Sequence, residues 1–479
     1  MRLLKNFLYL SGGEAVSKVA TFAAIAYLAR MLGPVGYGYV EFAGAVLMCA
    51  ALVVDQGFGP YGAREIAQAP ERTSALTREI VLVRFVLAAV AYLGVVGLAL
   101  WLAPSPAMTQ LLLLYGLSLL ATPLLLQWVF QGHDRMGTAA AIQAIRQVVY
   151  AVAVFVLVRA DGPVWPVAVA EILGVSAAGV YGVWMYRRLA VTPARGWFTL
   201  SPRLLREGVP IGLSQMFWTV RMFGATLILG LIAAPADVGF FASAQRLLIA
   251  LHAFVWLYYF NLLPSFARAW RHDPAHFGAL VARSLHTAAW LGALVALGWV
   301  TLAPLVVTTV YGAAFAPAAA ALQALAGVFL VAALSGPYRY GLIAAGQQTA
   351  EMLCSAVGAV AALAFIPLGY RQAGPAGAAW GLLAAEVVVW GAAWAWARHA
   401  LALHGHVRRV APPLLALTLA LALGWPWTNP ALRLGAALAV FAAAAWLLDP
   451  EMRAYLRGTV GIATGLAQPR PRPVKETPH

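Results

Sequence analysis

The sequence predicts an all-α, polytopic membrane protein with about 14 transmembrane helices. Composition, run length and internal repetition carry that expectation. Of 479 residues, 62% are hydrophobic and only 10% charged, with a mean hydropathy of +0.80. Soluble domains carry roughly 25% charged residues, so too few remain here for a water-facing surface. The apolar residues also fall in runs that can cross a bilayer, which takes about 20 residues as helix. The alternating short segments of a β-barrel are absent.

Run length and Gly/Pro punctuation place the spans at 6–32, 38–58, 80–103, 108–130, 137–158, 164–186, 208–232, 238–262, 284–308, 318–343, 350–369, 375–398, 409–425 and 430–448. The stretch from Arg30 to Ala67 is the pattern for the rest. One apolar run stops at Leu32-Gly33-Pro34, and Gly36-Tyr37-Gly38 is expected to turn the chain. A second run carries Asp55 and stops at Gly57-Phe58-Gly59-Pro60, before Arg64-Glu65. The first run reads as a retained helix, since Glu14 and Lys18 interrupt it and no small-residue cleavage site follows. The tail from Ala467, rich in Pro and Arg, is expected to be disordered.

The net charge of +15 follows from the loops. One set of loops collects Arg64, Arg72, Arg78, Arg135, Arg187, Arg188, Arg195, Arg203, Arg206, Arg268, Arg271, Arg283, Arg398, Arg408 and Arg409, and later the basic tail. The other set holds only Arg30, Arg159, Arg371 and Arg433. The first set is expected to be cytoplasmic, and an even span count puts both termini there. No basic–aromatic cluster on a soluble module argues for nucleic acid. Cys49 and Cys354 lie inside apolar runs and read as packing residues.

Arg2-Leu3-Leu4 recurs as Arg203-Leu204-Leu205, an offset of 201 residues. Without a gap, the same offset pairs Leu28 with Leu229, Pro34 with Pro235, Gly38 with Gly239, Ala43 with Ala244, Leu47 with Leu248 and Val54 with Val255. Later, Gly162-Pro163 echoes Gly374-Pro375, and Glu171 echoes Glu386. Both repeats begin on the same side, so they are parallel, related about an axis along the membrane normal. Residues 1–200 and 201–403 are then two six-helix lobes with a cleft between them. Residues 404–449 add a helix pair, and 450–479 form a cytoplasmic tail.

Several short motifs carry a family resemblance. They are Leu3-Leu4-Lys5-Asn6, Leu32-Gly33-Pro34 with Tyr37-Gly38, Asp55-Gln56-Gly57-Phe58-Gly59 leading to Arg64-Glu65, and Leu263-Pro264-Ser265-Phe266-Ala267-Arg268. The chain resembles bacterial polysaccharide transporters, including the O-antigen flippases of the multidrug/oligosaccharidyl-lipid/polysaccharide (MOP) exporter superfamily. The resemblance implies alternating access in the bacterial inner membrane, moving a polyprenyl-pyrophosphate-linked glycan from the cytoplasmic to the outer leaflet. It also implies work alongside a polysaccharide polymerase or other assembly proteins. Lipid II flippases and exporters of drugs or other amphiphiles share this fold and stand as alternatives.

Charges inside the spans mark the candidate site, because a charge at mid-bilayer costs at least about 2.5–3.5 kcal/mol on insertion scales. Glu14 and Lys18 share a helical face, either as a self-neutralising pair or with Lys18 facing the cleft. Gln143, Arg146, Gln147 and Tyr150 form one stripe, as a polar seam or a cavity lining. Gln215, Trp218 and Arg221 form another, and Arg246 is followed by His252, Trp256 and Tyr259. At the repeat offset Arg221 replaces Ala20 and Arg246 replaces Ala45, so these bases are additions to the second repeat. Lys18, Arg146, Arg221 and Arg246 would attract a phosphate, which suits the planar arginine fork. Asp55, Glu171 and Glu386 are candidates for coupling to a proton or sodium gradient, or else packing and interfacial acids.

No catalytic residue, metal-ligand spacing or cofactor motif is present, and the outer loops are too short for a glycan polymerase or ligase. The orientation is testable: a reporter active only outside the cytoplasm, fused at residue 479, is expected to stay silent. A strong signal would reverse the topology.

Overall fold

The computed structural model describes residues 2–102, 105–189, 204, 206, 212, 219, 223–401, 403, 406–424, 427 and 429–454. Among them every regular element is helical. The α-helices are α1 (Arg2–Asp55), α2 (Phe58–Gln68), α3 (Thr73–Leu102), α4 (Pro106–Leu117), α5 (Gln127–Gly132), α6 (Met136–Leu157) and α7 (Trp165–Arg187). They continue as α8 (Phe223–Ile232), α9 (Pro235–His272), α10 (Pro274–Tyr311), α11 (Ala318–Ala344), α12 (Gln348–Ala400), α13 (Ala411–Gly424) and α14 (Pro430–Leu448).

Ten described helical stretches are long and apolar enough to cross a bilayer. Two are double-length. The 54 residues of α1 would make a straight rod of roughly 80 Å, more than twice the hydrocarbon core. α1 breaks at Gly33, whose φ of 64° suits a residue without a Cβ. Pro34 then opens the next helix, its fixed φ being right for a first turn. The expected turn over Gly36-Tyr37-Gly38 is therefore corrected: Gly33 alone makes the break, and those three residues are helical. α12 breaks the same way at Ala373-Gly374, just before Pro375. Counting the halves separately makes twelve spans among the described residues, to which the shorter apolar helices α8 and α13 add two further candidates. The expected span at 108–130 is present as one crossing, Pro106–Gly132, but its helix is not uniform. A 3-10 stretch, Ser118–Leu124, separates α4 from α5 because Pro123 lacks a donor. Most of the span expected at 208–232 lies outside the described residues.

Large apolar side chains face outward along the helices. Val90, Leu93, Leu100 and Trp101 of α3 are exposed, Trp101 to 83%. A water-facing surface would not carry such a stripe, whereas lipid would cover it.

Two compact units make up the chain. The first contains residues 1–254, 304–325 and 349–392, and the second contains 255–303, 326–348 and 393–479. In the first, Phe58, Trp128, Phe130, Ile80 and Ile142 form a buried cluster joining α2, α3, α5 and α6. The Asp55–Gly59 motif shapes its edge. Gln56 and Gly57 take positive φ and end α1, so Phe58 enters the core while Asp55 meets the Arg84 guanidinium of α3. Arg84 also lies over the Trp128 ring, 5.8 Å from its centroid.

In the second unit, Tyr259 is buried and donates to the Ala333 carbonyl at 2.7 Å. The C-terminal helix pair is pinned through Asp449, just past α14. Its Oδ2 lies 2.6 Å from His286 Nε2 and accepts from Trp290 Nε1 at 2.8 Å, both on α10. Its Oδ1 caps the Glu451 and Met452 amides. Burial alone would raise the Asp449 pKa, but the donors from His286, Met452 and Trp290 outweigh it and hold it below the ordinary carboxylate value.

The Asp55–Arg84 pair generates an asymmetric prediction. The Arg84 side chain is 6% exposed and that of Asp55 33%. Asp55→Ala leaves a buried guanidinium without its counter-charge, which costs about 3–5 kcal/mol. Arg84→Ala leaves an aspartate that water can reach, so it should cost less, and Asp55→Asn with Arg84→Met should recover much of the loss. Unfolding of the three variants in detergent micelles checks the order.

Candidate functional site

In the first unit, the second half of α1 and the start of α9 cross at Gly38 and Gly239. A Cβ on Gly38 would collide with the Pro235 carbonyl, and a Cβ on Gly239 with the Pro34 carbonyl. Only glycine lets the two backbones approach so closely. These contacts are reciprocal: at the offset of 201, the pair Gly38–Pro235 maps onto Gly239–Pro34. Two equivalent surfaces meeting about a local two-fold make contacts of this kind. Side chains complete the closure. Tyr37 and Phe240 each meet Phe315 edge-on, with centroids 5.7 and 6.1 Å away. The Tyr311 hydroxyl donates to the Ser243 carbonyl at 3.0 Å. Arg30 Nε donates to the Val310 carbonyl at 2.9 Å, and its NH2 to that of Thr309, capping the end of α10.

Moving along both helices from the crossing toward Asp55, the first charges are Glu41 and Arg246. Arg246 Nε lies 3.2 and 3.1 Å from the two Glu41 oxygens, and NH2 lies 3.0 Å from Oε2. This side-on double contact uses the guanidinium plane as an oxyanion would. The Glu41 side chain is 7% exposed and that of Arg246 34%. A cavity of about 20 Å³ beside them, room for about one water, is lined by Glu41, Thr226, Gln245 and Arg246. Thr226 donates to Gln245 Oε1. Tyr37 and Tyr311 lie within electrostatic reach of both charges.

A second pair lies between α6 and α7. Arg146 NH2 donates to Glu171 Oε1 at 2.6 Å. Gly174, one turn beyond Glu171, packs against the Arg146 carbonyl and brings the helices close enough for the contact. Tyr150 of α6 and Tyr115 of α4 interact with each other and lie within reach of both Glu171 and Glu41. The two pairs therefore belong to one polar array of two arginines, two glutamates and four tyrosines. Its formal charge cancels.

The residues singled out by sequence fall as follows. Arg146 and Arg246 enter the array, each paired with an acid from another helix or half-helix. Gln147 accepts from Thr21 Oγ1 of α1 at 3.0 Å, a bond across the α1–α6 seam. Gln143 is half-buried on the same helix, and Lys18 is exposed on α1. Trp218, Arg221 and Gln215 lie outside the described residues, as does the Glu14 side chain. Of the acids, Glu171 joins Arg146 and Asp55 joins Arg84. Glu386 is buried on α12, and its Oε2 meets no donor among the described residues. Trp256 is exposed and stacks on Phe260 at 5.1 Å, whereas Tyr259 is engaged in the core. Sequence reasoning passed over Glu41. A signal was present: its repeat mate Ala242 sits one helical turn before Arg246. Among the described residues no group of three His, Cys, Asp or Glu side chains could hold a metal ion.

Residues 3–270 match the family model described as "Polysaccharide biosynthesis protein". Proteins named "Putative O-antigen transporter" are similar over about half of this chain. The one from Escherichia coli (strain K12) is 24% identical over 263 residues, 52% of this chain and 61% of that protein. The one from Shigella dysenteriae is 24% identical over 254 residues, 51% of this chain and 63% of that protein. The match thus spans about three-fifths of these relatives' length. Among solved structures, the lipid II flippase MurJ in its inward closed conformation superposes with a TM-score of 0.70 at 12% identity, covering 93% of this chain and 99% of that one. An inward-facing multidrug resistance MATE transporter of the MOP superfamily gives 0.65 at 14% identity, covering 83% and 98%. The outward-facing conformation of such a transporter gives 0.56 at 15%, covering 84% and 96%. The fold is the one these solved structures share, and the chain belongs to the polysaccharide biosynthesis protein family of multi-pass membrane proteins.

Proposed function

We propose that this protein is a flippase that carries a polyprenyl-pyrophosphate-linked oligosaccharide from the cytoplasmic to the outer leaflet of a bacterial inner membrane by alternating access. The observation that carries the reading is Arg246, a third exposed, immediately beneath a crossing that closes α1 against α9. Arginine keeps its charge and offers a planar fork to phosphate, so it suits a diphosphate headgroup. The family match and the O-antigen transporter relatives support the substrate class. The bilayer and the lipid-linked glycan are the partners the reading requires, with a polymerase or other assembly protein as the next in line. The two six-helix lobes at 1–200 and 201–403 are its moving parts, and the Arg-rich loops place both termini in the cytoplasm. The closed crossing then faces outward, in keeping with the higher similarity to inward-facing than to outward-facing MATE. No catalytic group or cofactor enters the reading. Glu171 and Asp55, each held by an arginine, and the buried Glu386 remain the carboxylates through which a proton or sodium gradient would act.

Translocation in proteoliposomes at matched protein levels tests it. Arg146→Ala and Arg221→Ala should each lower glycan-lipid transfer by about tenfold or more, because each removes a cationic fork from the proposed diphosphate site. Arg→Lys should rescue part of the rate, since it keeps charge but loses the fork. Full activity in both alanine variants removes the anion-binding role. Transfer of lipid II or a drug in place of the glycan-lipid would reassign the substrate.

A further inference from the structure

We infer that the Glu41–Arg246 pair locks the Pro34/Gly38–Pro235/Gly239 crossing, and that a diphosphate headgroup opens it by replacing Glu41 on Arg246. The inference rests on the reading of an anionic lipid-linked substrate and names the residue where that anion acts.

Three observations carry it. First, the lock straddles the two repeats and belongs to neither. Glu41 corresponds to Ala242 and Arg246 to Ala45, so the pair is an addition at a contact the repeats otherwise make symmetrically. The crossing itself is backbone against backbone, with glycines and prolines that offer van der Waals contact but no charge. Separating α1 from α9 must also separate Glu41 from Arg246. A buried pair resists that strongly when neither member gains a new partner.

Second, exposure within the pair is unequal. Glu41 is almost wholly buried, while a third of the Arg246 side chain is accessible beside a small polar cavity. An incoming anion therefore meets the arginine and not the carboxylate. The guanidinium already holds a carboxylate side-on through two nitrogens, a geometry a phosphate oxygen pair can take over.

Third, the carboxylate released by the exchange has a donor waiting. The Tyr37 hydroxyl is fully buried beside Glu41. Once Arg246 has left, donating to Glu41 gives the carboxylate a partner inside the protein.

The test reads the crossing directly. Val238, beside Gly239, is 2% exposed. Val238→Cys in a Cys49→Ala background reports opening through its rate of alkylation by a water-soluble maleimide. Buried Cys354 is the internal check that the protein remains folded. In this parent, geranyl pyrophosphate should speed labelling by about tenfold, while geraniol should not. Inorganic pyrophosphate at higher concentration should reproduce the effect if the headgroup suffices. Adding Glu41→Gln should give fast labelling without ligand and no further acceleration by it. Arg246→Gln, breaking the lock from the other side, should do the same. Tyr37→Phe should weaken the response to geranyl pyrophosphate while leaving the resting rate slow. The lock is overturned if Glu41→Gln, with Cys354 still protected, labels as slowly as the parent. The exchange is overturned if geranyl pyrophosphate speeds the Glu41→Gln protein by the same factor as the parent, or fails to speed the parent. Failure of the flippase reading is distinguishable: the parent would then move no glycan-lipid across proteoliposomes, while the labelling contrast between parent and Glu41→Gln would persist.

Discussion

A carboxylate or guanidinium inside a bilayer has to find its counter-charge within the protein, because lipid offers none. Much of the first unit is arranged around that constraint. Asp55 and Arg84, Glu41 and Arg246, and Glu171 and Arg146 each bring together partners distant in sequence. Each pair is possible only because the surrounding helices approach at a defined place. Gly174 sets the distance between α6 and α7, and the Gly38–Gly239 crossing sets that between α1 and α9. Charge neutralisation and close helix packing are therefore one requirement seen from two sides.

The crossing also accounts for several of the short motifs of this sequence in physical terms. Gly33 supplies the break, Pro34 starts the next helix, and Gly38 admits the partner backbone. The repeat preserves the proline and the second glycine as Pro235 and Gly239, because the same segment is used twice, once on each side of the contact. The Asp55-Gln56-Gly57-Phe58-Gly59 run works similarly at the far end of the half-helix. Its positive-φ pair turns Phe58 into the core and leaves Asp55 facing Arg84.

The second unit shows a different way of fastening helices. Tyr259 and Asp449 are buried polar groups with good partners, and Asp449 engages both of its oxygens. Four donors on one carboxylate tie the end of α14 to α10 and start the short helical turn that follows it. The pair α13–α14 is thereby held by polar chemistry as well as by apolar packing such as Trp290 against Phe441.

The sequence by itself determined the class and the approximate spans. These depend on apolar run length and on Gly/Pro punctuation, which are local properties. Spans such as 137–158, 318–343 and 430–448 coincide with α6, α11 and α14 to within about a residue. Where they differ, the cause is local geometry finer than hydropathy: one residue suffices for the break at Gly33, and Pro123 divides a run that reads as continuous. The candidate residues were also visible as charges in apolar runs. Which acid faces which base was decided only by the tertiary structure. Arg146 has no acid one turn away on its own helix, and its partner lies 25 residues on. Glu41 went unnoticed because its partner is 205 residues distant, across a contact that exists only once the two repeats have met. Helical periodicity orders residues around one axis; it holds no information about the angle and depth at which a second axis arrives, and that is what the glycine crossing supplied.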